Sequence, residues 1–142
     1  DSAGIKEVKT YEYFKSNKVV LFALPGAFTP TCSAKHLPGF IKYYQDIKDK
    51  GVDIIACMAV NDPHVMRAWA LANEVEGKIE MLSDSDCSVS QSLGLDMNFG
   101  RIMGHRSRRF AMIIDDNVIK KSFVEEVGAF EVSTAENILK NL

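Results

Sequence analysis

The chain predicts an α/β layered fold, and three features of its sequence carry that prediction. Strand-like and helix-like patterns alternate over most of its 142 residues, which favours a sheet with helices packed against it. Val19 to Ala23 and, apart from Asp53, Val52 to Val60 are continuous apolar runs, as expected of central strands buried on both faces. A hairpin and a last helix complete the order of strand, helix, strand, helix, strand, helix.

Each element has a local reason. The first twenty residues are short for a complete leading strand, so the natural protein is expected to begin before Asp1. After the first strand, Leu37, Phe40, Ile41, Tyr44 and Ile47 form a helical stripe that Gly51 should stop. Pro38 interrupts this helix early, and its missing N–H should set the turn around Cys32 apart from the rest and make it easy to unwind. Asn61-Asp62-Pro63 opens the next helix with a capping side chain and a first-turn proline, and Val65, Ala68, Trp69 and Ala72 form its apolar face. Phe110 to Ile114 and Val118 to Val124, joined through Asp115-Asp116-Asn117, read as a hairpin. Ser133-Thr-Ala-Glu136 reads as a capping box for the final helix.

Composition narrows the function classes. A hydrophobic fraction of 46% with 25% charged residues fits one globular domain spanning 1–142, without repeats or linkers. A net charge of -2 gives no broad case for nucleic acid or an anionic membrane. No apolar stretch reaches the roughly 20 residues that span a bilayer, and the start lacks the pattern of a signal peptide. The expected location is the cytoplasm, or an organelle matrix such as that of mitochondrion or plastid if a transit peptide has been removed. Cys32, Cys57 and Cys87 form no close pair, so neither a disulfide scaffold nor a metal knuckle is suggested. His64 and His105 have no metal-ligand spacing with any cysteine and read as surface histidines.

The chemistry concentrates at Cys32. A strand ends, a short turn follows, and the cysteine falls at the mouth of a helix, where unpaired N–H groups and the helix dipole favour a sulfur anion. Pro25-x-x-x-Thr29-x-x-Cys32 matches the active-site signature of peroxiredoxins, and the longer run to His36-Leu-Pro-Gly-Phe40 resembles the type II, peroxiredoxin-5-like branch. The resemblance continues through Val60-Asn61-Asp62, Gly104 to Phe110 and Ser133-x-Ala135-Glu136, and covers nearly the whole chain from Lys18 onward. It implies a thioredoxin-like fold with a central mixed sheet flanked by helices. It also implies reduction of hydrogen peroxide and alkyl hydroperoxides by a cysteine that cycles through sulfenic acid.

Ionisation alone cannot account for such a reaction. An ordinary thiol with a pKa of about 8.5 is ~3% ionised at pH 7, so full ionisation yields about thirtyfold, or ~2 kcal/mol. The remainder must come from fixed donors that stabilise charge spreading over sulfur and two oxygens. Thr29 can place its hydroxyl beside the sulfur. By resemblance, Pro25 shields the sulfenate, and Arg109, which directly precedes Phe110, reaches the thiolate and substrate with a permanently charged fork of donors. No bound cofactor or metal is implied.

His36 follows Cys32 by four residues, one helical turn, so a Cys-His nucleophile pair is an alternative. That pair would also need an orienting carboxamide and an oxyanion hole, to which the sequence does not point. The family pattern shares His36 without requiring acid-base work of it.

The reducing thiol stays open in the sequence. Cys57 is the candidate resolving residue by its spacing from Cys32 in similar plant and bacterial proteins, yet it lies in an apolar strand where a cysteine is usually a small hydrophobe. Cys87, in a polar run, looks exposed and is a weaker candidate. The expected donors are glutathione with glutaredoxin, or thioredoxin, and the resemblance implies a homodimer. Two rivals share the fold: a disulfide oxidoreductase, disfavoured because Thr29 stands where a Cys-x-x-Cys pair would need cysteine, and a non-enzymatic holdase or interaction domain.

Overall fold

The computed structural model describes residues 5–142. Its centre is β1 (Lys18–Ala23), whose residues from Val19 onward are at most 1% exposed. β1 pairs in parallel with β2 (Ile54–Ala59), which pairs in parallel with β3 (Glu80–Ser83). On its other side it runs antiparallel to β6 (Phe110–Asp115), followed by β7 (Val118–Val124), so the five-stranded order is β3-β2-β1-β6-β7. The apolar runs are central because alternate residues point into two separate layers. Val20 and Phe22 face one core, whereas Val19, Leu21 and Ala23 face the other.

The first layer contains α2 (Leu37–Lys42), α3 (Tyr44–Asp49), α4 (Pro63–Ala72) and α7 (Ala135–Asn141), which contribute Phe40, Ile47, Trp69 and Ile138. The second is covered by α1 (Thr10–Phe14) through Phe14 and by α5 (Ser88–Ser92) with its following Leu93. A short α6 (Gly100–Met103) separates β4 (Asp96–Asn98) from β5 (His105–Ser107), which form a two-stranded antiparallel ribbon. Sequence patterns gave no sign of α1, α6 or this ribbon, because each is too short to show a period.

Several local expectations hold. Asp62 caps α4, accepting from the N–H groups of His64 and Val65 at 2.8 and 3.0 Å. Asp116 and Asn117 both have positive φ, 46° and 67°, the conformation that a tight hairpin turn requires. Gly51, at φ 88°, ends the second helical region, and Trp69 is fully buried.

Others are corrected. The expected single helix to Gly51 is broken at Tyr43, between α2 and α3. The second strand is shorter than Val52 to Val60. The cap of α7 is Thr134, whose hydroxyl accepts from Asn137 N–H at 3.1 Å, because the Ser133 side chain is engaged by Glu125. Cys87 is 5% exposed rather than open to solvent, since its left-handed backbone (φ 62°) turns the chain into α5.

Candidate active site

β1 delivers the chain to Leu24, and the turn beyond it is held from two sides. Asn61 Oδ1 accepts from Ala27 N–H at 2.8 Å, and Arg106 donates to the Pro25 carbonyl at 3.0 Å through Nη1. Arg106 also donates to Met103 O from Nε at 2.6 Å, which fixes its guanidinium against the turn. Gly26 leaves room for this clasp, because a Cβ there would lie 2.3 Å from Arg106 Nη1.

Cys32 to His36 form a π-helical turn rather than the first turn of an α-helix, with the Leu37 N–H returning to the Cys32 carbonyl. A π turn widens the helix by one residue and is disfavoured unless neighbours hold it. Pro38 follows in the first turn of α2, where its missing N–H is tolerated. The separate turn expected around Cys32 is present. Indole Nε1 of Trp69 donates to Ser33 Oγ at 3.1 Å and ties it to α4.

Cys32 has no solvent exposure. Its sulfur accepts from Arg109 Nη2 at 3.2 Å, so a residue 77 positions away on the approach to β6 brings a full positive charge to it. Arg109 Nη1 meets His36 Nδ1 at 2.8 Å, and the guanidinium carbon lies 5.8 Å from the centroid of Phe130. His36 Nε2 is 3.0 Å from the Ser133 carbonyl. Both imidazole nitrogens are thus occupied, and neither is available to take a proton from Cys32, which removes the Cys-His alternative. Burial, helped by the Arg109 charge and opposed by the Ser133 bond, holds the His36 pKa down to about 3.

Thr29 lies one turn before Cys32 and gives its hydroxyl proton to the Gly26 carbonyl at 2.6 Å. With that proton committed, the oxygen keeps only lone pairs to offer a further partner. Pro25 and Arg109 share the wall of a cleft of ≈ 600 Å³, which Lys35, Phe99 and the segment 125–131 also line.

Cys57 occupies β2 opposite Phe22 and is fully buried as a free thiol in the same core layer as Cys32. Burial, together with the nearby charge of Cys32, pushes its pKa up, and Arg109 only partly offsets this. Among the described residues no cluster of three His, Cys, Asp or Glu side chains is arranged to hold a metal.

Sequence reasoning missed the loop that supports His36. Glu125 is 3% exposed, and one of its oxygens, Oε2, accepts from Glu131 N–H, Ser133 N–H and the Ser133 hydroxyl at 2.8, 2.8 and 2.7 Å. This folds 125–133 into a strap that presents Phe130 and the Ser133 carbonyl to the site. Its one legible signal was the serine beside the final helix, which reads as a cap.

The chain is similar to known proteins over most of its length. The Redoxin family matches residues 2–139, beginning well before Lys18. The chain is 46% identical over 142 residues to Peroxiredoxin-2E-2, chloroplastic, of Oryza sativa subsp. japonica, covering 97% of this chain but only 63% of the rice protein. It is 46% identical over 126 residues to Peroxiredoxin-2B of Arabidopsis thaliana, covering 88% of this chain and 78% of that protein. Reduced Prx3 of Vibrio vulnificus in complex with hydrogen peroxide superposes with a TM-score of 0.95 at 49% identity, over 98% of this chain and 90% of that one. With a thioredoxin-like mixed sheet holding an arginine on a buried helix-mouth cysteine, and with family matches along nearly its full length, the chain belongs to the redoxin family and, within it, to the peroxiredoxins.

Proposed function

We propose that this chain is a thiol-dependent peroxidase that reduces hydrogen peroxide and alkyl hydroperoxides through Cys32, in antioxidant defence. The observation that carries this reading is Arg109 Nη2 at 3.2 Å from Cys32 Sγ, on a guanidinium that reaches the cleft. A cation hydrogen-bonded to sulfur stabilises the attacking anion, and its further donors can follow the charge onto oxygen.

The Cys32 thiolate attacks one peroxide oxygen and forms an S–O bond as the O–O bond breaks. The departing oxygen takes a proton and leaves as water or an alcohol, and Cys32 is left as sulfenic acid. Thr29, with its own proton committed to Gly26, accepts the peroxide's O–H and orients it for in-line attack. Arg109 grips the breaking bond, and Pro25 at the cleft wall limits access by a second peroxide.

Reduction then uses an external thiol, from glutathione with glutaredoxin or from thioredoxin. Its sulfur displaces hydroxide from the sulfenic acid, which leaves as water once protonated, and a second thiol breaks the mixed disulfide. The π turn must open for this step, since Cys32 has no exposed surface. Cys57, buried and with its thiol disfavoured as an anion, acts as a core residue while the fold is closed. No bound cofactor is required by this cycle. The homodimer expected from the resemblance would cover Phe28, which is 57% exposed in the turn before Thr29. A location in the cytoplasm or an organelle matrix fits this chemistry, and the similar rice protein is named as chloroplastic.

Trapping of sulfenic acid with a dimedone probe, followed by mass spectrometry of peroxide-treated protein, tests the reading. The expected product is one adduct per chain, on Cys32. Adducts on Cys57 or Cys87 with Cys32 unmodified would overturn it.

A further inference from the structure

We propose that His36 is a positioning residue for peroxide reduction, setting Arg109 on the Cys32 sulfur through one fixed tautomer of a neutral imidazole. The inference rests on the peroxidase reading of Cys32 and adds to it a role for a residue that does not touch the sulfur.

The partners dictate the tautomer. A backbone carbonyl can only accept, so Nε2, 3.0 Å from Ser133 O, must carry the proton. A guanidinium can only donate, so Nδ1, 2.8 Å from Arg109 Nη1, must present its lone pair. The two requirements are met by the same neutral ring. Burial reinforces this state, because His36 has no exposed surface and an imidazolium would place an N–H against an arginine N–H.

The consequence for Arg109 is geometric. Its rigid fork has Nη1 fixed by His36 and Nη2 on Cys32 Sγ at 3.2 Å, so anchoring one nitrogen aims the other. Phe130 meets both groups, with its ring centroid 5.1 Å from that of His36 and 5.8 Å from the guanidinium carbon. His36 is itself anchored through Ser133 to the Glu125 carboxylate, so the strap is joined to the sulfur through two side chains. Without the Nδ1 acceptor, the arginine keeps its charge but loses its aim.

Two substitutions separate aim from packing. Asn places an acceptor near the Nδ1 position and loses the Ser133 bond, whereas Gln places a donor near Nε2 and loses the Arg109 bond. Cys32 oxidation by hydrogen peroxide should be on the order of tenfold faster in His36→Asn than in His36→Gln. In an Arg109→Met background, His36→Gln should cause no further loss. Thermal unfolding of every variant accompanies the rates. Equal rates for Asn and Gln, rates that track melting temperature alone, or full multiplication of the His36 and Arg109 effects would overturn the inference.

Alkylation of Cys32 by iodoacetamide across pH reads the same coupling without peroxide. The His36→Gln profile should move toward that of Arg109→Met, while His36→Asn stays nearer wild type; three independent profiles would contradict the inference. Wild-type protein inert to peroxide, with the alkylation pattern as expected, would remove the peroxidase reading and leave the coupling standing.

Discussion

Arg109 donates to the sulfur of Cys32 at 3.2 Å across 77 positions of sequence, and no other charged side chain hydrogen-bonds that sulfur among the described residues. The site therefore concentrates its electrostatic work in one guanidinium. Replacing Arg109 by Met should slow Cys32 oxidation by about 10²-fold, as removal of a preorganised donor typically does. Arg109→Lys should recover little, because a single ammonium cannot serve His36 and the sulfur at once. Competition kinetics against a reference peroxide scavenger check both.

The buried His36 makes stability depend on pH. Its folded pKa of about 3 lies below the ordinary value of 6.5, so between these values the unfolded chain binds a proton that the folded one does not. The His36 contribution is fully present above about 6.5 and is lost as pH falls toward 3, with a slope of about 1.4 kcal/mol per pH unit. Urea unfolding from pH 7 to pH 4 should show that slope reduced by this amount in His36→Asn.

Gly26→Ala should displace Arg106, since the new Cβ would lie 2.3 Å from its Nη1 and the guanidinium would have to leave the Pro25 carbonyl. The expected cost is about 1 kcal/mol of stability, the scale of a lost hydrogen bond. In an Arg106→Ala background the same glycine substitution should cost much less, which a double-mutant unfolding series measures.

Cys57→Ser should leave the first oxidation of Cys32 unchanged, because the folded protein keeps Cys57 buried opposite Phe22 in the adjacent strand. Stability should fall by about 1–3 kcal/mol as a hydroxyl enters an apolar layer. Turnover with glutathione and glutaredoxin should persist in steady-state assays. Loss confined to thioredoxin would assign Cys57 a part in that route alone.

Trp69, the one tryptophan of the chain, donates to Ser33 in the π turn and lies 6.4 Å from Phe28 between ring centroids. Opening of the turn during the thiol step should change its fluorescence. Stopped-flow traces with peroxide followed by glutathione should show a phase that Cys32→Ser lacks.

The parts of this site closest in sequence were the easiest to read. Pro25, Thr29 and Cys32 share one turn, so fixed spacing along the chain reports their proximity. Arg109 could be identified only through the family resemblance, because four nearby arginines look alike until the β4 and β5 ribbon sends Arg106 to Pro25 and Arg109 to Cys32. The link from His36 to Ser133 spans 97 positions and involves a backbone carbonyl, which carries no residue signature. Ser133 shows the same limit: its sequence context suits a helix cap, but the buried Glu125 carboxylate competes for its hydroxyl and Thr134 takes the cap. Cys87 was misplaced because polar neighbours suggest exposure, whereas a left-handed turn carries the thiol inward.

The most direct test of the account is the rate at which hydrogen peroxide oxidises the reduced protein, followed in a stopped-flow instrument for wild type and Cys32→Ser. The account predicts rapid oxidation of wild type, with one peroxide consumed per chain in the absence of reductant, and no such phase in Cys32→Ser. Equal rates for the two proteins would contradict it.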